Sequence, residues 1–519
     1  MLVYGDHCET VDPREWLDLI TGQLATIAGM RPGIDRHGKI VGALISAGQL
    51  LQGVEDQGYP AESLGRFVHE LASAVIRSWD SRFAELGDIP LVPSVASPPR
   101  AELRLPEGFA FYAVYPEAYA AAARRLRLRG KPVVIGIRSI GTTLGAVVSV
   151  ALGSAPALTV RPFGDPFARS VELKPEIVAA DAHYVIVDEG PGLSGSSFGA
   201  VADWLEDHGV LPERIAFLSS HGGELGPQAS RRHRERWASV QRIAAEPDLQ
   251  FLVERFAPLK AFSTARPGER LKFRSHQRGE AMLIKFAGLG AIGERKLEMA
   301  HTLHDSGFTP EPLGLVHGFL VERWCEGAQP LGSIEKPLDE IGRYIGARAR
   351  LFPARQASGA SVETLTAMCR RNIGLALGEN VIRSVDIEEA SRVAVRLSRV
   401  RTDNKLDREE WLRLADGRLI KTDALDHHQS HDLIGCQDIA WDVAGAIVEF
   451  DLDAAETEQL IVSTGGEIDA ALLRFLRLAY VAFRLGEAEI SGASSRRYVR
   501  QLDRLLANCS RNRPESSFD

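Results

Sequence analysis

Segment 184–198 reads YVIVDEGPGLSGSSF and restricts the possible folds more than any other stretch of the chain. Val185, Ile186 and Val187 continue a short apolar run, the pattern of a strand buried on both faces. Asp188 and Glu189 follow where that strand leaves the core. Carboxylates are rarely buried without a partner. They belong at a strand end, facing the crevice in which open α/β sheets take their ligands. The stretch GPGLSGSS at 190–197 comes next, just before a helical pattern begins. Glycines let backbone amides converge on an anion, serine hydroxyls add donors, and a helix N-terminus adds favourable potential. An acidic pair for ribose hydroxyls beside a Gly/Ser nest for phosphate describes a sugar-phosphate pocket.

The flanking sequence supplies a sheet for that strand. Apolar runs at 109–114 (FAFYAV), 132–137 (PVVIGI), 157–163 (ALTVRPF) and 214–220 (RIAFLSS) predict further strands. They alternate with helical patterns at 116–130, 144–153 and 197–209. This alternation predicts a mostly parallel α/β sheet covered on both faces, with its sites at the C-terminal strand ends.

These motifs resemble those of the type I phosphoribosyltransferases, over roughly 110–225. In that family a hydrophobic strand ends in two acidic residues and a phosphate loop follows. Asp188 and Glu189 match the pair, and Ser194, Gly195, Ser196 and Ser197 match the loop. One extra residue separates pair from loop. The strand PVVIGI runs into RSIGTTLG at 138–145, where the family binds pyrophosphate; Arg138, Ser139 and Gly141 occupy that loop. Arg161 and Arg169 fall in the stretch where the family has its covering loop, and His221 follows the next strand as a substrate contact. The resemblance implies phosphoribosyl pyrophosphate as substrate, bound with magnesium.

The chain has 519 residues, too many for one hydrophobic core. Residues 9–90 show apolar residues at helical spacing, and a proline-rich stretch at 88–108 follows. The division is therefore a helical N-terminal region at 1–95, the phosphoribosyltransferase-like unit at 96–245, and a third unit at 246–519. The expected fold class is multidomain: helical, then α/β with a parallel sheet, then α+β. The apolar faces of the first helices either pack on the central unit or mediate self-association as a homo-oligomer. A formal charge of −8 argues against general nucleic-acid binding. The basic run RRHRER at 231–236 reads as a solvated helix face. No basic-then-apolar leader opens the chain, and no stretch reaches the length of a membrane span. Five scattered cysteines without CxxC spacing fit a reducing, cytoplasmic setting.

In the third unit, 269–287 reads as a hairpin turning near QRGE, 293–307 as a helix, and 314–327 as two short strands. GLGAIG at 288–293 matches GxGxxG, which has meaning only inside a βαβ unit. On that motif alone rests a third account, a dinucleotide-dependent oxidoreductase.

The pattern resembles the aminoglycoside-phosphotransferase-like kinases over about 265–460. The resemblance implies ATP and Mg2+, with Lys285 in a strand and Glu294 or Glu298 in the next helix, Glu298 preferred, as the pair that orients ATP phosphates. FLVERWCEG at 319–327 looks like the hinge between lobes, with Glu322 at the hinge's start. RLIKTDAL looks like the strand carrying the metal-binding aspartate, Asp423, and Asp438 and Asp442 match acids at a later helix start. The catalytic loop departs from the family pattern. Aligned from the EWL strand, Lys405 falls at the catalytic aspartate and Glu410 at the metal-binding asparagine, with Asp403 or Asp407 as substitutes. His428 and His431 stand three apart, a spacing that admits a metal, a polar network, or plain surface polarity.

The reading that follows is a bifunctional transferase using phosphoribosyl pyrophosphate and/or ATP on a small metabolite. The alternative is a non-catalytic regulatory or scaffold protein that senses a nucleotide or sugar phosphate.

Overall fold

The computed structural model describes the chain except residues 4, 6–7, 96–97, 193, 227, 263–270, 379–396, 430–431 and 512–519, and the side chains of 507–511. His431 therefore lies outside the described residues.

Strand β1 (Cys8–Val11) precedes three helices, α1 (Pro13–Ala28), α2 (Ile34–Asp56) and α3 (Glu62–Asp80). The Asp12 side chain caps α1 by accepting from the Arg14 N–H, and Pro13 sits at the first helical position, where its missing donor costs nothing. The proline-rich stretch then leads to β2 (Ala101–Arg104), which pairs antiparallel with β1.

The apolar run at 109–114 is not a strand. It begins in the short helix α4 (Glu107–Phe111), followed by α5 (Pro116–Ala123). Then come β3 (Lys131–Ile137), α6 (Ile140–Ala151), β4 (Leu158–Val160), the hairpin β5 (Phe163–Asp165) and β6 (Ala168–Ser170), β7 (Ala182–Val187), α7 (Ser196–Asp207), β8 (Ile215–Ser219), α8 (Arg231–Ser239) and β9 (Gln241–Ala244). Strands β4-β3-β7-β8-β9 form one sheet in that order, every pairing parallel.

Side chains along these strands alternate between two cores. Val134, Val185, Val187 and Leu218 face one buried cluster with α1, α2, α3, α5 and α6. Ile135, Ile137, Tyr184, Ile186 and Phe217 face another, closed by Phe198 and Val201 of α7 and Trp237 of α8. A sheet buried on both faces needs a near-continuous apolar run, and β7 has one from Tyr184 to Val187, with His183 its one polar residue.

The third unit starts with α9 (Gln250–Phe256). It continues with β10 (Leu259–Ala261), β11 (Lys272–Gln277), β12 (Glu280–Phe286), α10 (Gly290–Asp305), β13 (Pro312–Val316) and β14 (Phe319–Arg323). Its sheet order is β10-β11-β12-β14-β13, all antiparallel. Met282, Ile284, Phe286, Phe319 and Val321 of this sheet join the same buried cluster as the N-terminal helices. That cluster thus runs through all three stretches of the chain. The helix that GLGAIG opens joins β12 to β13, which run parallel but are separated by the antiparallel β14, so the motif lacks the adjacent parallel strands of a dinucleotide fold.

The remainder is a helical lobe. It holds β15 (Gln329–Pro330), α11 (Leu338–Leu351), α12 (Val362–Leu377), β16 (Arg399–Val400), β17 (Trp411–Arg413), β18 (Leu419–Lys421) and β19 (Gln437–Asp438). Helices α13 (Ala440–Glu449), α14 (Ala454–Thr464), α15 (Ala470–Ser491) and α16 (Arg496–Arg511) complete it. Two buried clusters hold the lobe together, one around Trp441 and Tyr480, the other around Tyr344 and Trp411. Among the described residues no helix is long and apolar enough to cross a membrane.

Candidate functional sites

In the parallel sheet, β3 connects to β4 on one side, while β7 continues to β8 and β9 on the other. The strand order reverses between β3 and β7, and ligands of such sheets settle at that point, beyond the C-terminal strand ends. The loop carrying Arg138 and Ser139 leaves β3 there, and Asp188 and Glu189 leave β7 beside it. Ser139 has φ 139°, a conformation costly for a side-chain-bearing residue and concentrated at functional sites. Gly141 lets this loop approach β7: a Cβ there would lie 2.6 Å from the Val187 carbonyl oxygen.

The acidic pair is largely enclosed. Glu189 Oε2 accepts from the Gly108 N–H at 2.9 Å, and Asp188 Oδ1 from the Glu189 N–H at 2.8 Å. Tyr119 Oη donates to the Asp188 carbonyl at 2.8 Å and braces the turn. Burial pushes Asp188 up to about 7, against a backbone hydrogen bond and Arg161. Burial, then the neighbouring Asp188 and Glu107, push Glu189 up to about 8. Two carboxylates held this way accept hydrogen bonds from hydroxyls and gain by doing so.

The other residues of the predicted pocket have partners of their own. Ser194 Oγ and Ser196 Oγ both donate to the Pro166 carbonyl, at 3.1 and 2.7 Å, so the β5–β6 hairpin is docked on the loop. Gly195 takes a left-handed conformation at the start of α7, and Ser197 is half-buried. His221 is exposed and sits near Gly190, where a Cβ would be 3.0 Å from its Nε2. Arg161 grips Asp56 of α2 with two nitrogens, at 2.6 and 3.1 Å, and Arg138 reaches Asp56 at 3.2 Å and Glu55 at 3.2 Å. The guanidinium groups assigned to phosphate are engaged by the end of an N-terminal helix. Arg169 bonds only weakly within its hairpin, to the Gly164 carbonyl at 3.4 Å.

The second site lies between the antiparallel sheet and the helical lobe. Lys285 on β12 pairs with Glu322 on β14 at 3.0 Å and donates to the Thr422 carbonyl at 3.2 Å. Register explains the pair: Leu283 faces Glu322, and Lys285 lies two residues on, diagonal on the same face. The expected partner, Glu298, is exposed on α10 and does not make this pair. The buried cation of that helix is Lys296, which pairs with Asp426 at 3.0 Å.

The loop after β16 is fastened by its backbone. Asp442, in the first turn of α13, accepts from the Asp403 and Asn404 N–H groups at 2.8 and 2.9 Å. Fully buried Arg348 of α11 donates to the carbonyls of Arg401, Thr402 and Ala424. Asp403, not Lys405, stands at the centre of the site. Lys405 is engaged with Glu487, and with Asp432 at 3.4 Å. Asp403 hydrogen-bonds to Tyr344 Oη and pairs with Lys421 at 3.3 Å and His427 at 3.2 Å. Burial would raise its carboxyl, but Lys421 and His427 hold it well below the usual range. Lys421 also donates to Glu410 Oε2 and to the Asp423 carbonyl, both at 2.6 Å. Burial pushes Glu410 up to about 7 even against Lys421.

Asp423, with its side chain 46% exposed, is the carboxylate open to a ligand, 3.7 Å from His427. Asp423, Asp426 and His427 bring donor atoms within reach of one ion, as do Asp403, Glu410 and His427. Glu410 and Asp423 are hard oxygen donors that suit Mg2+. His428 is buried, and burial followed by Arg348, Arg401 and Lys296 drives its pKa well down.

Sequence reasoning missed Lys421, Arg348, Tyr344 and Asn404. Only Lys421 carried a signal, as a lysine inside an otherwise apolar strand.

Neither a protein-family model nor a curated protein sequence matches this chain. Among solved structures it is similar to the choline kinase LicA from Streptococcus pneumoniae, at 16% identity and a TM-score of 0.37, over 50% of this chain and 98% of that one. It is similar to a choline/ethanolamine kinase family protein from Mesorhizobium loti at 18% identity, with a TM-score of 0.34, over 52% and 93%. It is also similar to the macrolide 2′-phosphotransferase MphH from Brachybacterium faecium, at 13% and 0.32, over 52% and 98%. At these scores the similarity carries no conclusion about what this chain does.

Proposed function

We propose that residues 246–519 form a kinase-like unit that binds ATP with Mg2+ and transfers phosphate to a small molecule. The observation that carries this reading is the meeting of Lys285, from the antiparallel sheet, with the end of β18 that presents Asp423. A lysine and a carboxylate from opposite walls of one cleft are what a nucleotide triphosphate and its counter-ion require. In this reading Lys285 contacts phosphate oxygens, Glu322 orients Lys285, and Asp423 with Glu410 holds Mg2+. The ion neutralises phosphate charge when bound. Asp403 accepts the proton of the substrate hydroxyl.

One observation favours a non-catalytic variant of the same reading. The Asp403 side chain has no solvent exposure and is tied to an ammonium. A general base has to reach its proton. In this variant the unit binds nucleotide and signals its presence without turnover.

Residues 96–245 carry the second half of the proposal, a phosphoribosyl pyrophosphate pocket at Asp188, Glu189 and 194–197, with residues 1–95 as its cover. The strand-order reversal beside the acidic pair supports it. The phosphoribosyl part rests on that topology and the pair alone.

Thermal denaturation with ATP–Mg2+ and with phosphoribosyl pyrophosphate–Mg2+ separates the parts. ATP should stabilise the native chain and not Lys285→Ala, and phosphoribosyl pyrophosphate should lose its effect in Asp188→Asn. ADP release over a panel of hydroxylated small molecules then distinguishes transfer from binding. The absence of any ATP-dependent shift sinks the kinase-like reading.

A further inference from the structure

His37 lies in the first turns of α2, Glu117 in the first turn of α5, and His317 in the turn between β13 and β14. They are 80 and 200 residues apart, yet their side chains meet with almost no exposure. Glu117 Oε1 is hydrogen-bonded to His37 Nε2 and lies 3.1 Å from His317 Nε2. We propose that His37, Glu117 and His317 form a zinc-class metal site that pins the three parts of the chain together.

Donor chemistry supports this. Two imidazoles and one carboxylate bring their donor atoms within reach of one ion, and among the described residues no Lys or Arg pairs with Glu117. Burying a carboxylate is expensive, and a divalent cation lowers that cost. Glu117 Oε2 is buried without a hydrogen-bond partner. Two imidazole nitrogens and a carboxylate oxygen make a His2Glu donor set, one of the three-residue sets that hold zinc. The three donor atoms all lie within 4.8 Å of one another, so one ion can reach them together.

The surroundings fit a structural site. His37 Nδ1 is 3.0 Å from Ser78 Oγ, the outer hydrogen bond that orients a ligating imidazole. His317 holds φ 41° beside Gly318 at φ 89°, a turn that suits Asn-Gly better than His-Gly. Strain of this kind persists where a side chain is needed in place. Gly38 admits the ring: a Cβ there would lie 3.3 Å from His317 Nδ1. Phe83, Tyr115 and Phe251 pack against the two imidazoles, with ring centroids 5.0–5.3 Å away. A site so walled excludes substrate, so the metal would fasten the fold.

The test is metal analysis of the full chain purified without chelator or affinity-tag histidines. About one zinc per chain is expected. His317→Gln and His37→Gln should retain at least about tenfold less after dialysis against chelator, while Glu410→Gln keeps it. Should those variants fail to fold, X-ray absorption of the zinc- or cobalt-loaded native chain decides. Two imidazoles with carboxylate oxygen are expected. A native chain without stoichiometric metal overturns the proposal, as does a shell containing sulfur or six oxygens.

Discussion

Lys421 Nζ donates to Glu410 Oε2 across 2.6 Å, and neither side chain is open to solvent. The same ammonium pairs with Asp403, so one lysine bridges two buried carboxylates inside the proposed nucleotide cleft. A cation built into the chain stands where carboxylates would otherwise repel each other.

Lys421→Met removes that ammonium and strands Asp403 and Glu410. Breaking a buried ion pair costs about 3–5 kcal/mol, because the partners stay buried and charged. We expect a loss of that order in denaturant titration. Mg2+ should restore more stability to Lys421→Met than it adds to the native chain. Equal responses to Mg2+ would mean that the carboxylates do not form a cation site.

Asp188 and Glu189 set a pH dependence. Burial raises both, to about 7 and about 8, above their unfolded values near 4. The folded state therefore holds more protons than the unfolded state between about pH 4 and pH 8. Their contribution to stability is complete below about pH 4, falls as pH rises through that window, and is flat above it. Asp188→Asn with Glu189→Gln should flatten this part of the profile and stabilise the chain at pH 8 relative to the native sequence. Phosphoribosyl pyrophosphate should bind the double variant at least about tenfold more weakly. Thermal melts from pH 4 to pH 9 read both effects.

Gly42 on α2 and Gly290, with φ 55°, at the start of α10 are in backbone contact. A Cβ on Gly42 would lie 2.9 Å from the Gly290 Cα, and one on Gly290 would lie 2.5 Å from the Gly42 Cα. Gly42→Val should cost about 1–3 kcal/mol, the usual penalty for overpacking. It should also loosen the joint between the helical region and the third unit, raising amide exchange in α10 while α7 is unaffected.

What the sequence disclosed follows from the range of each interaction. Strand β7 and helix α7 were legible because their cause is local: a continuous apolar run, then glycines, then helical spacing. FAFYAV misled because a short apolar run suits a buried helix as well as a buried strand, and Gly108 is held in α4 by the distant Glu189 carboxylate. Strand β9, QRIA, is polar at its start and was passed over, though the edge of a parallel sheet tolerates that. Lys285 and Asp423 were put forward from motif order. The partner of Lys285 was not, because strand register selects Glu322 over Glu298. Asp403 entered only as a substitute for Lys405, because the alignment back from the EWL strand puts Lys405, not Asp403, at the expected distance from Glu410. No spacing joins His37 to His317, or Asp56 to Arg161, so those meetings exist only in the fold.

The Asp56 meeting is itself testable. Asp56 receives two nitrogens of Arg161 and one of Arg138, all partly shielded from water. Arg161 opposes the rise in the Asp188 pKa, which places its charge near the acidic pair. If these arginines are phosphate ligands, Asp56 competes with the phosphate for them. Asp56→Asn keeps the shape and removes the charge. Losing a partly buried, bidentate pair should cost about 1–3 kcal/mol of stability. The freed guanidinium groups should then bind inorganic phosphate or pyrophosphate more tightly, by at least about threefold, one charge-assisted bond costing less to exchange. Arg161→Gln combined with Asp56→Asn should cancel that gain. Isothermal titration of the three proteins with pyrophosphate measures it. A single variant that is destabilised but no tighter for pyrophosphate assigns the Asp56–Arg161 pair to holding α2 on the sheet edge, and removes Arg138 and Arg161 from the proposed pocket.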